Sequence, residues 1–273
     1  MARTRVLIAV KTYPVLSQKH IELVCTAGFR EDGSWIRIYP SPFRFLEDNQ
    51  RYRKYQWIEL DLKKNLKDQR PESYSPTNID TIQLGEVIST DRSWEERKNF
   101  ILGNNPVYSS LDEVIDGAKS NTFSFAILKP AKIIDFKAIA VDREWDVSRK
   151  QAAEASLNQG SLFQENDHSD FKLVKKLPYK FSYHFVDGHG RESTMMIEDW
   201  EIGQLYWNCL KNGDEKAAIA KVKEKYFDDI ALTKDVYLFL GTTLKFHNMN
   251  APNPYVIIGV FYPPFIKQAD LFE

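Results

Sequence analysis

The chain has 273 residues, 43% apolar and 13% aromatic, which is enough to fill the core of one large or two ordinary domains and excludes disorder for most of its length. Thirty-seven Lys and Arg stand against 38 Asp and Glu, so the net charge of −1 gives no whole-chain sign of a polyanionic partner. Two cysteines, Cys25 and Cys209, exclude a disulfide framework, and no CxxC or HxxxH spacing suggests zinc.

Residues 5–11 (RVLIAVK) are short and β-branched and read as a buried strand. Residues 20–29 read as a second strand, and Asp32-Gly33 then turns the chain into 35–39 (WIRIY), giving an antiparallel hairpin. Alternation along that third strand puts Trp35, Arg37 and Tyr39 on one face, with Ile36 and Ile38 on the other. Pro40 and Pro42 end it, since proline cannot donate to a ladder. Further strands are expected at 55–62 and 81–89, with Gly85 as a bulge. Strands packed this densely into about 90 residues point to a small barrel or sandwich rather than a βαβ fold. The segment Arg70-Pro71-Glu72-Ser73-Tyr74 has two readings, an arginine presented at a ligand site and the plainer one, a solvent loop.

Two capping boxes, Ser93–Glu96 and Ser110–Glu113, open short helices. Strand-like sequence resumes at 122–141, and 148–170 is polar, reading as a loop that begins as a helix. Asp187-Gly188-His189-Gly190 is the strongest hairpin signal in the chain, between 179–185 and 192–197. Helices follow at about 199–211 and 214–226, then apolar strands at 236–241 and 255–262. The expected fold is α+β: two small antiparallel β-barrels or curled sheets joined and flanked by short helices. Its expected parts are an N-terminal barrel over 1–90, a helical connector over 91–122, a β-rich part over 123–264 and a tail over 265–273. The run Val6–Val10 is too short for a signal sequence, and no stretch approaches the ~20 apolar residues of a membrane span, so a cytoplasmic protein is expected.

No GxxxxGK[ST] loop, GxGxxG turn, GxSxG elbow or HExxH helix is present, and neither a cofactor nor a metal is expected. The densest chemistry is aromatic and basic. Trp35, Arg37, Tyr39, Arg44, Arg53 and Trp57 fall within 23 residues, and residues 1–75 carry 14 Lys and Arg against 9 Asp and Glu. Aromatic faces stack on bases and arginines contact phosphates, so this composition suits a nucleic-acid groove. The plainer alternative is that these side chains pack a barrel. Asp187, His184 and Asp199 suggest a metal-dependent nucleic-acid-processing enzyme, against the plainer reading of Asp199 as a helix cap. A third reading is an interaction module with no nucleic-acid contact.

The segments Val24–Phe29 and Gly33–Arg37 resemble the opening of dual OB-fold domains, which implies an OB-like first barrel and an association with nucleic acid. The KTYP, WIRIYP and DWEIG segments resemble a widespread prokaryotic family of unassigned function. Gln268-Ala269-Asp270-Leu271-Phe272 is similar to the pentapeptide with which bacterial polymerases and repair proteins hold the sliding clamp, and Gln159–Phe163 repeats the pattern. That resemblance implies a clamp contact through Gln268, Leu271 and Phe272, or through Gln159, Leu162 and Phe163. Together these observations lead to an expected non-enzymatic nucleic-acid-binding accessory protein of replication, repair or defence.

Overall fold

The computed structural model describes residues 2–17, 21–161 and 172–265. Six strands come from the first 87 residues: β1 (Ala2–Lys11), β2 (Val15–Ser17), β3 (Ile21–Arg30), β4 (Trp35–Ser41), β5 (Gln56–Lys64) and β6 (Ser73–Val87). β1 pairs with both β3 and β5, while β6 pairs antiparallel with β5 and parallel with β4 at Arg37–Ser73 and Ile38–Tyr74. Five strands therefore close into a ring, and β2 extends it beside β3. Alternating positions fill the interior with Val6, Ile8, Val24, Ile36, Ile38, Ile58 and Leu60. Gly28 is required where β1 and β3 approach, since a Cβ there would lie 2.0 Å from the Leu7 carbonyl oxygen. Gly33 takes φ +80 at the β3–β4 turn.

Beyond the ring come α1 (Asp91–Gly103), β7 (Val107–Tyr108), α2 (Leu111–Lys119), β8 (Phe125–Leu128), β9 (Lys132–Ala140) and α3 (Val147–Ser161). Then follow β10 (Tyr179–Val186), β11 (Glu192–Met196), α4 (Trp200–Leu210), α5 (Glu215–Lys223), β12 (Tyr237–Thr242), α6 (Leu244–Asn248) and β13 (Tyr255–Phe261). α5 runs on into a wider π-helical stretch over 224–231. The strands form two curled sheets, ordered β11-β10-β9 and β13-β12-β8-β7. Their core gathers Leu128, Phe136, Phe181, Tyr183, Tyr206, Leu238 and Ile257. Ser110 caps α2 as its capping box predicts, accepting from the Glu113 amide. Ser93 does not cap α1: Arg92, Ser93 and Trp94 all have positive φ and form a left-handed turn before the helix proper.

A third apolar cluster joins the ring to the four-stranded sheet, with Val10, Ala27 and Phe29 from β1 and β3 against Phe125, Ile127, Phe239, Ile258 and Phe261. Each large side chain buried there contributes roughly 1.5–3 kcal/mol, so the outer face of the ring is firmly covered. The α+β class with curled sheets is therefore observed. The expected solvent loop at 70–74 is corrected: Arg70 is 5% exposed, Ser73 is fully buried, and Ser73 begins β6. Among the described residues no helix is long and apolar enough to cross a membrane.

Candidate nucleic-acid interface and central cavity

The alternation of β4 is as predicted, but its outward face does not meet solvent. Trp35 lies with its ring centroid 4.1 Å from Phe29 and 5.0 Å from Phe125, stacked on the latter. Arg37 is 1% exposed. Trp57 is buried between the Arg5 guanidinium and Phe100 of α1. Trp35, Arg37 and Trp57 therefore cannot form an open groove. The physical reason is that β8, β12 and α1 pack on the face that one sequence strand shows as free. Arg53 is exposed. Arg44 is partly exposed and pairs at 2.6 Å with the buried carboxylate of Glu22. Tyr39 is half-buried and lines an open-mouthed cavity of about 380 Å³ between the ring and the two sheets.

Charged groups form one wall of that cavity. Arg37 Nη1 donates to Ser73 Oγ at 3.2 Å and to Ser124 Oγ at 2.8 Å, and the guanidinium lies over the ring of Phe125. Ser73 donates in turn to Asp68, and Ser124 to Glu72. Arg70 grips both oxygens of Asp68 at 2.8 and 2.6 Å and reaches the Thr242 carbonyl. Burial, then the neighbouring Arg70 charge, lowers the Arg37 pKa to about 10, against opposing pulls from Cys25, Glu72 and Asp68. Burial also raises the Cys25 thiol, although Arg37 and Arg70 hold it back. Across the cavity, burial raises the Glu198 carboxyl against a weaker pull from Lys180.

Beside the mouth runs a segment that sequence reasoning missed. Residues 172–180 (KLVKKLPYK) hold Lys172, Lys175, Lys176 and Lys180 and no acidic residue. That local run of one sign was the available signal. The segment is irregular up to β10, yet its backbone is tightly held. Arg44 donates to the Lys172 carbonyl at 3.0 Å, the Val174 amide donates to Glu22, and Trp145 Nε1 donates to the Val174 carbonyl at 2.8 Å. Tyr13 Oη donates to the Lys175 carbonyl at 2.8 Å and accepts from Trp207 Nε1 at 2.7 Å. Lys175 Nζ sits 5.4 Å from the Trp207 ring centroid, and Lys176 Nζ donates to the Glu144 carbonyl. None of the four lysines forms an ion pair with a described residue. Arg44, Lys172, Lys175 and Lys211 line one groove together with Tyr13, Trp200 and Trp207.

The acidic candidates are engaged elsewhere. Asp187 accepts from the amides of Leu111, His189 and Arg191, fixing the hairpin turn and the start of α2. His184 contacts Thr194 and Glu192. Asp199 caps α4 and pairs with Lys54 at 2.8 Å, while Lys54 also reaches Glu201 at 2.9 Å. Among the described residues no three His, Cys, Asp or Glu side chains are grouped to hold a metal. Gln159 falls within α3. Leu162 and Phe163 lie outside the described residues, as do Gln268, Leu271 and Phe272.

No curated protein matches the chain. Residues 2–103 match a domain of unknown function (DUF8758), which corresponds to the ring and α1. Residues 107–273 match a second domain of unknown function (DUF8757), and on that match over more than half its length the chain belongs to the DUF8757 family.

Proposed function

We propose that the chain is a non-enzymatic nucleic-acid-binding protein that holds a single strand along residues 172–180, with Arg44 and Lys211 at its flank. The observation that carries this reading is the set of Lys172, Lys175, Lys176 and Lys180, none in an ion pair with a described residue, of which Lys172 and Lys175 line a groove with Trp207, Trp200 and Tyr13. Net charge is −1, so a basic strip is a local feature rather than a property of the whole surface. Lysines beside aromatic rings supply backbone attraction and stacking without sequence readout, the combination that suits single strands. The strip is held by the hydrogen bonds of Tyr13, Glu22, Arg44 and Trp145, so little ordering remains to be done on binding.

In this reading the five-stranded ring is an OB-like scaffold, the protein is cytoplasmic, and its place is in replication, repair or defence. The strand-binding duty assigned in sequence to Trp35, Arg37 and Trp57 passes to the strip, with Arg44 retained. The test is fluorescence anisotropy with labelled single-stranded and duplex DNA of equal length. The wild type should prefer the single strand, and Lys175→Ala/Lys176→Ala should weaken binding several-fold while its circular dichroism is unchanged. Equal affinity of the variant and the wild type would remove the strip from the interface.

A further inference from the structure

We infer that the central cavity is a binding site for a mononucleotide-sized ligand, a planar heterocycle carrying one phosphate or carboxylate group, anchored on Arg37. Arg37 is 1% exposed, yet it lines the cavity. Its Nη1 serves Ser73 and Ser124 and the guanidinium also hydrogen-bonds the Cys25 thiol, but no carboxylate among the described residues pairs with it directly. The nearby carboxylates are already engaged: Asp68 by Arg70 and Ser73, and Glu72 by Ser124. Asp68 and Glu72 act on Arg37 only through Ser73 and Ser124, so an anion in the cavity would be its direct ion pair, and its planar fork matches a phosphate or a carboxylate.

The rest of the cavity describes the body of the ligand. Tyr39, Phe125, Tyr179 and Phe181 are among its lining residues, and its volume of about 380 Å³ is that of a small-molecule site. Glu198 also lines it, and its side chain has no hydrogen-bond partner among the described residues. An apolar acid would leave Glu198 buried without a partner, at a cost in affinity. A heterocycle with ring N–H or amino groups gives it a donor. Two sources supply this chemistry: a free nucleotide, or one nucleotide unit of a strand held on the lysine strip. The second source rests on the function proposed above, and the strip reaches the cavity because Lys176 and Lys180 line it.

The experiment uses the cavity's own thiol. Cys25 lines the cavity and Cys209 is the chain's other cysteine, so Cys209→Ser leaves Cys25 as the sole reporter. Its alkylation by N-ethylmaleimide is followed with adenosine, guanosine, cytidine and uridine 5′-monophosphates at millimolar concentration, and separately with an oligodeoxynucleotide. The expected result is that at least one of these slows alkylation several-fold in a saturable manner, and that adding Arg37→Lys weakens the protection. Protection by mononucleotides that survives Lys175→Ala/Lys176→Ala assigns a free ligand. Protection by the oligonucleotide alone, lost in that double variant, assigns a nucleotide unit of the strand. If an oligonucleotide binds by anisotropy but no probe protects Cys25, the cavity inference is overturned and the strip stands. If a mononucleotide protects while no strand binds, the cavity stands and the strip reading falls. Should Arg37→Lys fail to fold, protection in the Arg37 protein still decides the matter.

Discussion

The guanidinium of Arg37 lies 4.0 Å above the centroid of the Phe125 ring. A residue of the five-stranded ring is thus roofed by a strand of the second sheet, and an arginine that sequence alternation places on a surface becomes interior. Arg37→Met keeps the bulk of the side chain but leaves Ser73 and Ser124 without their charged donor. Hydrogen bonds to charged groups are worth roughly 1.5–3 kcal/mol each, so urea unfolding should show a loss of about 2–4 kcal/mol. A loss below about 0.5 kcal/mol, the usual size for a surface substitution, would contradict this placement.

Lys54 Nζ bridges Asp199 and Glu201, joining the approach to β5 to the start of α4. The Asp199 side chain is 2% exposed, so Lys54→Met strands a buried carboxylate. Removing one partner of a buried pair typically costs about 3–5 kcal/mol, and chemical denaturation should report a loss of that size. Lys54→Met/Asp199→Asn, which removes both buried charges and keeps a capping side chain on α4, should recover part of it.

Burial by itself would raise the Asp68 carboxyl, but hydrogen bonds and charge from Arg70, then Ser73 and Arg37, outweigh it and hold the pKa at about 2 against an ordinary 3.8. A depressed carboxylate pKa gives stability that is complete above the unfolded value and is lost as pH falls through the folded one. The window therefore runs from about pH 4 down to about pH 2, and the contribution is roughly 2 kcal/mol. Unfolding free energies at pH 6 and near pH 2 should differ less in Asp68→Asn than in the wild type. Equal pH dependence in the two proteins would show that Asp68 is not so held.

The clamp contact that the C-terminal resemblance implies, through Gln268, Leu271 and Phe272, concerns residues outside the described part of the chain. Leu and Phe entering an apolar pocket contribute roughly 1.5–3 kcal/mol each, offset by the ordering of the peptide, so affinity should be about micromolar. Titrating a purified bacterial clamp should show binding by the full chain and none by Leu271→Ala/Phe272→Ala. Equal binding by both would remove the tail from the contact. The second copy is tested in the same way with Leu162→Ala/Phe163→Ala.

Much of the fold was legible in the sequence because strand period and turn chemistry are local. The Asp32-Gly33 and Asp187–Gly190 hairpins, the Ser110 cap and the Asp199 cap all form as local rules require. Period two also assigned Arg37 to the face of Trp35 and Tyr39. It could not reveal what covers that face, because Phe125 and Phe239 lie 88 and 202 residues further along the chain than Arg37. Arg70 was misread for the same reason, since its acceptor Thr242 is 172 residues away. The strip of Lys172–Lys180 was legible as a charge run without acids, but the rings beside it come from Tyr13, Trp200 and Trp207, which only the fold brings there.

The salt dependence of single-strand binding tests the central claim most directly. Each phosphate contact on a single strand contributes about 0.7 to the slope of log affinity against log salt. Anisotropy of a labelled oligodeoxythymidylate, from low to physiological salt, should give a steep slope for the wild type. Replacing Lys172, Lys175, Lys176 and Lys180 together by Ala should flatten that slope by up to about 3 while the thermal unfolding profile holds. Wild-type protein that fails to bind at low salt, or a quadruple variant with an unchanged slope, would contradict the account.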